Sequence, residues 1–544
     1  MGNVPAVPGA QRPAAAPASA PGTAGFRRRL SPAMLAIIAA TALALFLRLW
    51  QLTKHGYLLG VTEYDDGVYF GSAVRLIHGS VPYRDFITVQ PPGVMLLMTP
   101  AALFAGPLGT AKALAIGRVL TACAGASGVT LTGLLIRRHG ALAVAAACGF
   151  LAVYPDGVYA AHTVLIEPWL VLFCLAGALA VMDGDQLTGS RWRLAAGGAA
   201  FGVAGVCKAW AVIPVLVLLA LLIPGGGLLR APRRALVFLG GTVAGFALPV
   251  LPFAVLAPHA FFNSVIVAQW SRTDDVRISL WFRLASMIGF SHGPDLAHAL
   301  LLAVVCATAA VAAGCSLLAT LATRRLPPPL EIFALVSGAL VVVAFLWPAD
   351  YYYHYAAFLG PFMALSVVLP VSRLCRARGA PRRPALGAGY RVAVAATAVV
   401  VLVLAVLQAR TRPDPNYHGV ADAIVADEQI VPAGSCVLAD AVSYTIAADR
   451  FVSGVPGCPV MIDTIGTDYT LSRGRNGLNG AGNVPAVRRV WLSALSHAHY
   501  VWLSGLYARR IPWTQAIASY FSANFRLIRT DASGGVYERA SGRR

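Results

Sequence analysis

Charge is scarce in this chain. Asp, Glu, Lys and Arg make up 12% of its 544 residues, against roughly 25% in an ordinary soluble domain. With 58% hydrophobic residues and several apolar runs of about 18–25 residues, a soluble protein is excluded and a polytopic helical membrane protein is indicated. Acids are scarcer than bases, 23 against 43, for a formal net charge of +20. That excess does not mark a nucleic-acid binder, because the arginines gather in short loops between apolar runs and no reading module accompanies them. Cys-x-x-Cys and His-rich spacings are missing, as are a nucleophile elbow, a Walker loop and a Rossmann glycine fingerprint. Nor is there an internal repeat.

Six of the nine cysteines (Cys123, Cys148, Cys174, Cys207, Cys306 and Cys315) lie in or beside apolar runs, and Cys375 sits in a basic loop. These read as small hydrophobes. Only Cys436 and Cys458 fall in the polar C-terminal part, and as its only thiols in an oxidising compartment they are expected to form a disulfide.

Residues 1–30 are poor in large side chains up to the basic Arg27–Arg29, and are expected to be a disordered cytoplasmic N-terminus. Basic clusters follow at Arg137-Arg138, Arg191/Arg193, Arg230/Arg233/Arg234, Arg324-Arg325 and Arg373 to Arg391. Keeping all of them inside requires an even number of crossings between clusters. Spans at 33–51, 112–135, 140–155, 162–182, 194–207, 209–223, 234–257, 297–321, 330–347, 352–371 and 391–408 satisfy this. The expected fold is therefore an α-helical polytopic membrane domain over 31–408 with about eleven spans, and an extracytoplasmic α/β domain over 409–544. Pro92–Phe104 is too short for a span and is assigned to an interfacial helix. Segment 258–296, with Arg272, Asp274, Asp275, Arg277 and Arg283 beside Trp270 and Trp281, is expected to form a partly ordered outer lid.

The most informative stretch is the first outer loop, 51–111. Glu63, Asp65 and Asp66 crowd into four positions beside a membrane, where carboxylates should face water or a cation. From Asp66 to His78 apolar residues recur at helical spacing, predicting an amphipathic helix lying at the interface. A Gly79-Ser80 turn and the Pro91-Pro92 pair follow. Like charges in proximity raise one carboxyl's pKa, which suits a general base or a shared divalent-cation site (magnesium or manganese) with Asp66 and Glu167 as carboxylates.

The acidic pair Asp65-Asp66, the helix behind it and the Pro-Pro segment VQPPGVMLL resemble the first extracytoplasmic loop of the GT-C membrane glycosyltransferases. The likeness is nearest to the branch holding the protein O-mannosyltransferases and the lipid A aminoarabinose transferase (family 39-like). Many of those relatives carry a Lys before the two prolines, where this chain has Gln90. The resemblance implies an inverting glycosyltransferase of the cell (plasma or inner) membrane. It would move a hexosyl or pentosyl group from a polyprenyl-phosphate-linked donor to an envelope glycan, lipid or protein on the outer face. Asp65 would be the general base, with Asp66 and Glu63 its neighbours. Relatives likewise carry an acid where Glu167 opens a span in AHTVLIEPWL, and a Lys where Lys208 stands in GVCKAW. They bind the lipid phosphate near the stretch WPADYYYHYAAFLGPF, which makes Tyr352, His354 and Tyr355 donor-binding candidates; Arg84 and Arg75 are further phosphate candidates. The Ala, Gly and Arg bias points to a GC-rich bacterial genome. A transporter or lipid-linked-sugar flippase would instead show midspan charges and two related halves. A membrane scaffold would leave the acidic loop unexplained.

Overall fold

Each of the eleven apolar segments forms a helix, and where the helices stop defines the molecule. The computed structural model describes Gly2 and residues 30–223, 233–270, 278–291, 297–348, 351–377, 388–410, 420–474, 480–505 and 510–540. The expected N-terminal disorder and the charged segment from Arg272 to Arg277 lie outside the described residues. Residues Pro32–Arg544 form one compact unit.

In chain order the helices are α1 (Pro32–Leu52), α2 (Tyr64–Ile77), α3 (Gly93–Ala102), α4 (Thr110–Ile136), α5 (Ala141–Val153), α6 (Glu167–Val181), α7 (Arg191–Cys207) and α8 (Val212–Leu222). Next come α9 (Arg233–Leu256), α10 (His298–Thr323), α11 (Pro329–Leu346), α12 (Ala356–Ala377) and α13 (Ala388–Arg410). Among the described residues, seven helices are long and apolar enough to cross a membrane; α5, α6 and α8 are shorter apolar helices. The shortening of α6 and α7 has a local cause. Helix α6 begins at Glu167 with Pro168 in its first turn, a residue that opens a helix but does not continue one, and α7 stops at Lys208, whose extended backbone (φ −156°, ψ 137°) breaks the helix before the turn Ala209–Ala211.

Close helix packing rests on small residues. Gly198 and Gly202 of α7 face Gly241 and Gly245 of α9, and a Cβ on any of them would collide with backbone of the other helix. Such paired small-xxx-small faces let helix backbones approach in a membrane, where apolar burial alone gives no drive to associate.

Helix α2 is buried along most of its length rather than lying at an interface. It is covered by the C-terminal part, which forms α14 (Val420–Ile430), β1 (Val437–Ala439), α15 (Val442–Ala447), α16 (Thr464–Ser472), α17 (Pro485–His497), β2 (Tyr500–Leu503), α18 (Gln515–Asn524), β3 (Phe525–Asp531) and β4 (Gly534–Arg539). The sheet order is β1-β2-β4-β3, with β1 and β2 parallel and the other pairs antiparallel. Cys436 and Cys458 are joined by a disulfide, Cα–Cα 5.5 Å. One hydrophobic core runs through both parts, mixing Val68 and Phe70 of α2 with Tyr444, Ile446, Phe451 and Trp502. At Gly67 an added Cβ would lie 2.5 Å from the Ser443 nitrogen, so only glycine permits this docking. Thr110 and the Ala111 amide bind the Asp449 carboxylate at 3.0 and 2.8 Å, fixing the start of α4 to the same surface.

Candidate active site

The two acids that open α2 are neighbours in sequence but have separate surroundings, because successive helical side chains diverge by about 100°. Asp66 is fully buried. Its Oδ2 accepts from Arg118 Nη2 (2.8 Å), Thr163 (2.6 Å) and Thr62 (3.1 Å). Arg118 is equally buried and also donates to the carbonyls of Tyr57, Leu58 and Gly60 at 2.5, 2.8 and 2.8 Å. This pair pins the first loop to α4. Asp65 is half-buried and lines a cavity of about 120 Å³ together with Glu63. The Tyr69 hydroxyl donates to its Oδ2 at 3.4 Å. Both acids of α2 lie in its first turn, at the positive end of the helix dipole.

Tyr353 donates to Glu63 at 2.7 Å. Burial outweighs that bond and pushes the Glu63 carboxyl up to about 7, with the neighbouring charges of Asp65 and Asp66 adding to the rise.

Across the cavity, Lys208 donates to Glu167 Oε1 at 2.7 Å and His354 Nδ1 lies 2.8 Å from Glu167 Oε2. The Lys208 ammonium sits over the rings of Trp210 and Tyr355, 3.7 and 3.8 Å from their centroids, a desolvated cation–π arrangement. The helix break at Lys208 and the turn Tyr353–Tyr355 before α12 aim these groups inward. Gly93, just after Pro91-Pro92, packs against the end of α7, where a Cβ would come 2.6 Å from the Val206 carbonyl carbon. That close approach brings Gln90 to the cavity beside Lys208.

Of the residues singled out in the sequence, Glu63, Asp65, Lys208, Tyr352, His354 and Tyr355 thus line one cavity, with Glu167 directly behind it. Asp66 faces away, toward Arg118. Arg84 is exposed and paired with Asp85 at 2.8 Å, and Arg75 donates to the Phe451 carbonyl at 3.0 Å, so both are spent outside the cavity. Asp66 and Glu167 do not fit a shared divalent cation, because each is occupied by protein cations. Among the described residues no group of three or more His, Cys, Asp and Glu could hold a metal.

Sequence reasoning missed Tyr64, Tyr69, Asp463, Tyr469 and Arg510, which also line the cavity. Tyr69 sits in the stretch already read as a helix, and Tyr64 stands between the acids Glu63 and Asp65 just ahead of it. Asp463, Tyr469 and Arg510 come from a part of the chain with no motif. Arg118 did carry a signal, a charge inside the apolar run ALAIGRVLT.

No family model and no curated protein matches the sequence. Solved structures do match. ArnT from Cupriavidus metallidurans bound to undecaprenyl phosphate is similar over 94% of this chain and 98% of that chain, at 16% identity and TM-score 0.58. The Archaeoglobus fulgidus oligosaccharyltransferase tethered with an acceptor peptide is similar over 94% of this chain and 74% of that one, at 13% identity and TM-score 0.51. The fold is that of the GT-C membrane glycosyltransferases.

Proposed function

We propose that this protein is a membrane glycosyltransferase that moves a sugar from a polyprenyl-phosphate donor to a hydroxyl of an envelope acceptor, with inversion. The observation that carries this reading is the cavity in which the half-buried Asp65 carboxylate faces Lys208, His354 and Tyr352. The acceptor oxygen attacks the anomeric carbon as its proton passes to Asp65. The bond from that carbon to the phosphate oxygen breaks, its electron pair leaving on the phosphate, and configuration inverts. Lys208, His354 and the Tyr352 hydroxyl steady the departing phosphate, and the Lys208–Glu167–His354 chain holds two of these groups in place. Two solved neighbours support the donor class, one bound to undecaprenyl phosphate and the other in complex with dolichol-phosphate.

The test is Asp65→Asn, which keeps shape and removes basicity. Transfer from a panel of polyprenyl-phosphate sugars should fall by about 10²–10⁴, while undecaprenyl phosphate binding stays as in the wild type. Undiminished transfer in Asp65→Asn would take the base away from this residue.

A further inference from the structure

The cavity has two walls of different origin. Lys208 and Tyr352 to Tyr355 come from the apolar bundle, whereas Asp463, Gly466, Tyr469 and Arg510 come from the C-terminal part. Asp65 opens between them. In an in-line displacement the base sits on the acceptor's side of the anomeric carbon, opposite the leaving phosphate. With the donor phosphate on the bundle wall, the acceptor falls to the other wall. We infer that the C-terminal wall is the acceptor subsite and that its ligand is a saccharide, an inference that rests on the glycosyltransferase reading above.

The chemistry of the wall favours a sugar over the other acceptor classes. A sugar ring offers apolar C–H faces and a rim of hydroxyls. It is matched by aromatic faces beside planar charged groups that can take two hydroxyls at once. Tyr469 supplies a ring at this wall, Tyr69 of α2 adds a second ring to the cavity lining, and the Arg510 guanidinium lies 3.5 Å over the centre of the Tyr64 ring. A peptide acceptor is read best along an open strand edge, and none of β1 to β4 contributes a residue to the cavity. An acyl chain needs an apolar groove, and among the described residues Ile465 is the one aliphatic side chain that the C-terminal part lends to the lining.

The wall is also fixed to the base. The Tyr64 hydroxyl accepts from the Thr464 amide at 2.8 Å and shares a hydrogen bond of 2.9 Å with the Thr464 hydroxyl. Asp463 caps the same helix, accepting from the Gly466 amide at 2.7 Å, and reaches the Val89 amide of the first loop at 3.3 Å. Tyr64 immediately precedes Asp65. A sugar seated on Tyr469 and Arg510 is therefore presented to Asp65 by one rigid piece.

The experiment titrates the full-length protein in detergent with octyl glycosides of hexoses and pentoses, with a Ser/Thr-containing peptide, and separately with undecaprenyl phosphate. Octyl glycosides should bind the wild type, and Arg510→Gln and Tyr469→Ala should each weaken them by roughly tenfold or more, with undecaprenyl phosphate affinity unchanged. Glycoside affinity indifferent to both substitutions would overturn the inference. So would sensitivity confined to the peptide, and so would a loss confined to undecaprenyl phosphate, which would put Arg510 on the donor side. Tyr469→Ala leaves the Arg510–Tyr64 stack in place, so a folding defect in one variant is told apart by the other. Failure of the wild type to bind undecaprenyl phosphate would count against the donor reading, and the glycoside arms would still judge the subsite.

Discussion

At the scale of single residues, three carboxylates within four positions have three different environments, and each predicts a different phenotype. Asp66 compensates a buried guanidinium. Asp66→Asn leaves Arg118 charged among carbonyls, a change that costs roughly 3–5 kcal/mol when a buried pair is broken. It should lower the thermal unfolding temperature in detergent, whereas Asp65→Asn should not. Equal stability of the two variants would remove the structural role given to Asp66. Glu63, pushed up to about 7 by burial, is mostly neutral below that pH and mostly ionised above it. Ionisation adds negative charge to a cavity that must accept a phosphate, so wild-type affinity for undecaprenyl phosphate should fall as pH rises through about 7. Glu63→Gln, neutral throughout, should flatten that limb. A limb that persists in Glu63→Gln would take this pH dependence away from Glu63.

At the scale of elements, the decisive contact is between α2 and the first turn of α15. Replacing a mid-helix glycine with alanine ordinarily stabilises by roughly 0.5–1 kcal/mol. Gly67→Ala should do the opposite, because the new methyl meets backbone at Ser443, 2.5 Å from its nitrogen, and backbone cannot give way as a side-chain tip can. Gly106→Ala, with nothing within 4 Å of its Cβ, is the control. The outcomes to compare are unfolding temperature and transfer rate; a Gly67→Ala protein as stable and active as the wild type would refute the docking. The elements themselves were largely legible in the sequence. Hydrophobic period and length predicted all eleven apolar helices, α2 and α3 to within a few residues, and composition the α/β character of the C-terminal part. Helices α15 and α16 went unread. They are 6 and 9 residues long and polar in places, and tertiary contact rather than propensity holds them. For the same reason the sequence read α2 as an interfacial helix: an amphipathic pattern reports that one face is covered, not what covers it. The C-terminal wall of the cavity was invisible because Asp463, Tyr469 and Arg510 reach the acids only across some 400 positions of sequence, as in the Tyr64–Thr464 contact.

At the scale of the whole molecule, the helices that build the site also predict which side of the membrane it faces. Helix α6 begins at Glu167, behind the cavity, and ends before a two-residue hairpin whose Asp183 pairs with Arg138 at 3.2 Å and whose Asp185 lies 2.6 Å from His139. Helix α7 leaves that same end, where Arg193 donates to the Met182 carbonyl at 2.6 Å, and stops at Lys208 in the cavity. Helix α12 follows the Tyr353–Tyr355 turn at the cavity, and beyond its middle come Arg373, bound to Glu331 at 2.8 Å, and Arg376, 3.0 Å from His139. Three helices thus run between the acid cavity and one basic end, so cavity and basic end lie on opposite faces. The positive-inside rule predicts the arginines in the cytoplasm and the cavity, with the C-terminal part that completes it, outside. Reporter fusions after Arg138, Arg193 and Arg325 should read as cytoplasmic, and fusions after Ser80 and Gly480 as external. A cytoplasmic signal at Ser80 would place Asp65 on the wrong face for an envelope acceptor and overturn the direction of transfer. Matching signals at Ser80 and Arg138 would go further, because no arrangement of α4 as a single span could produce them.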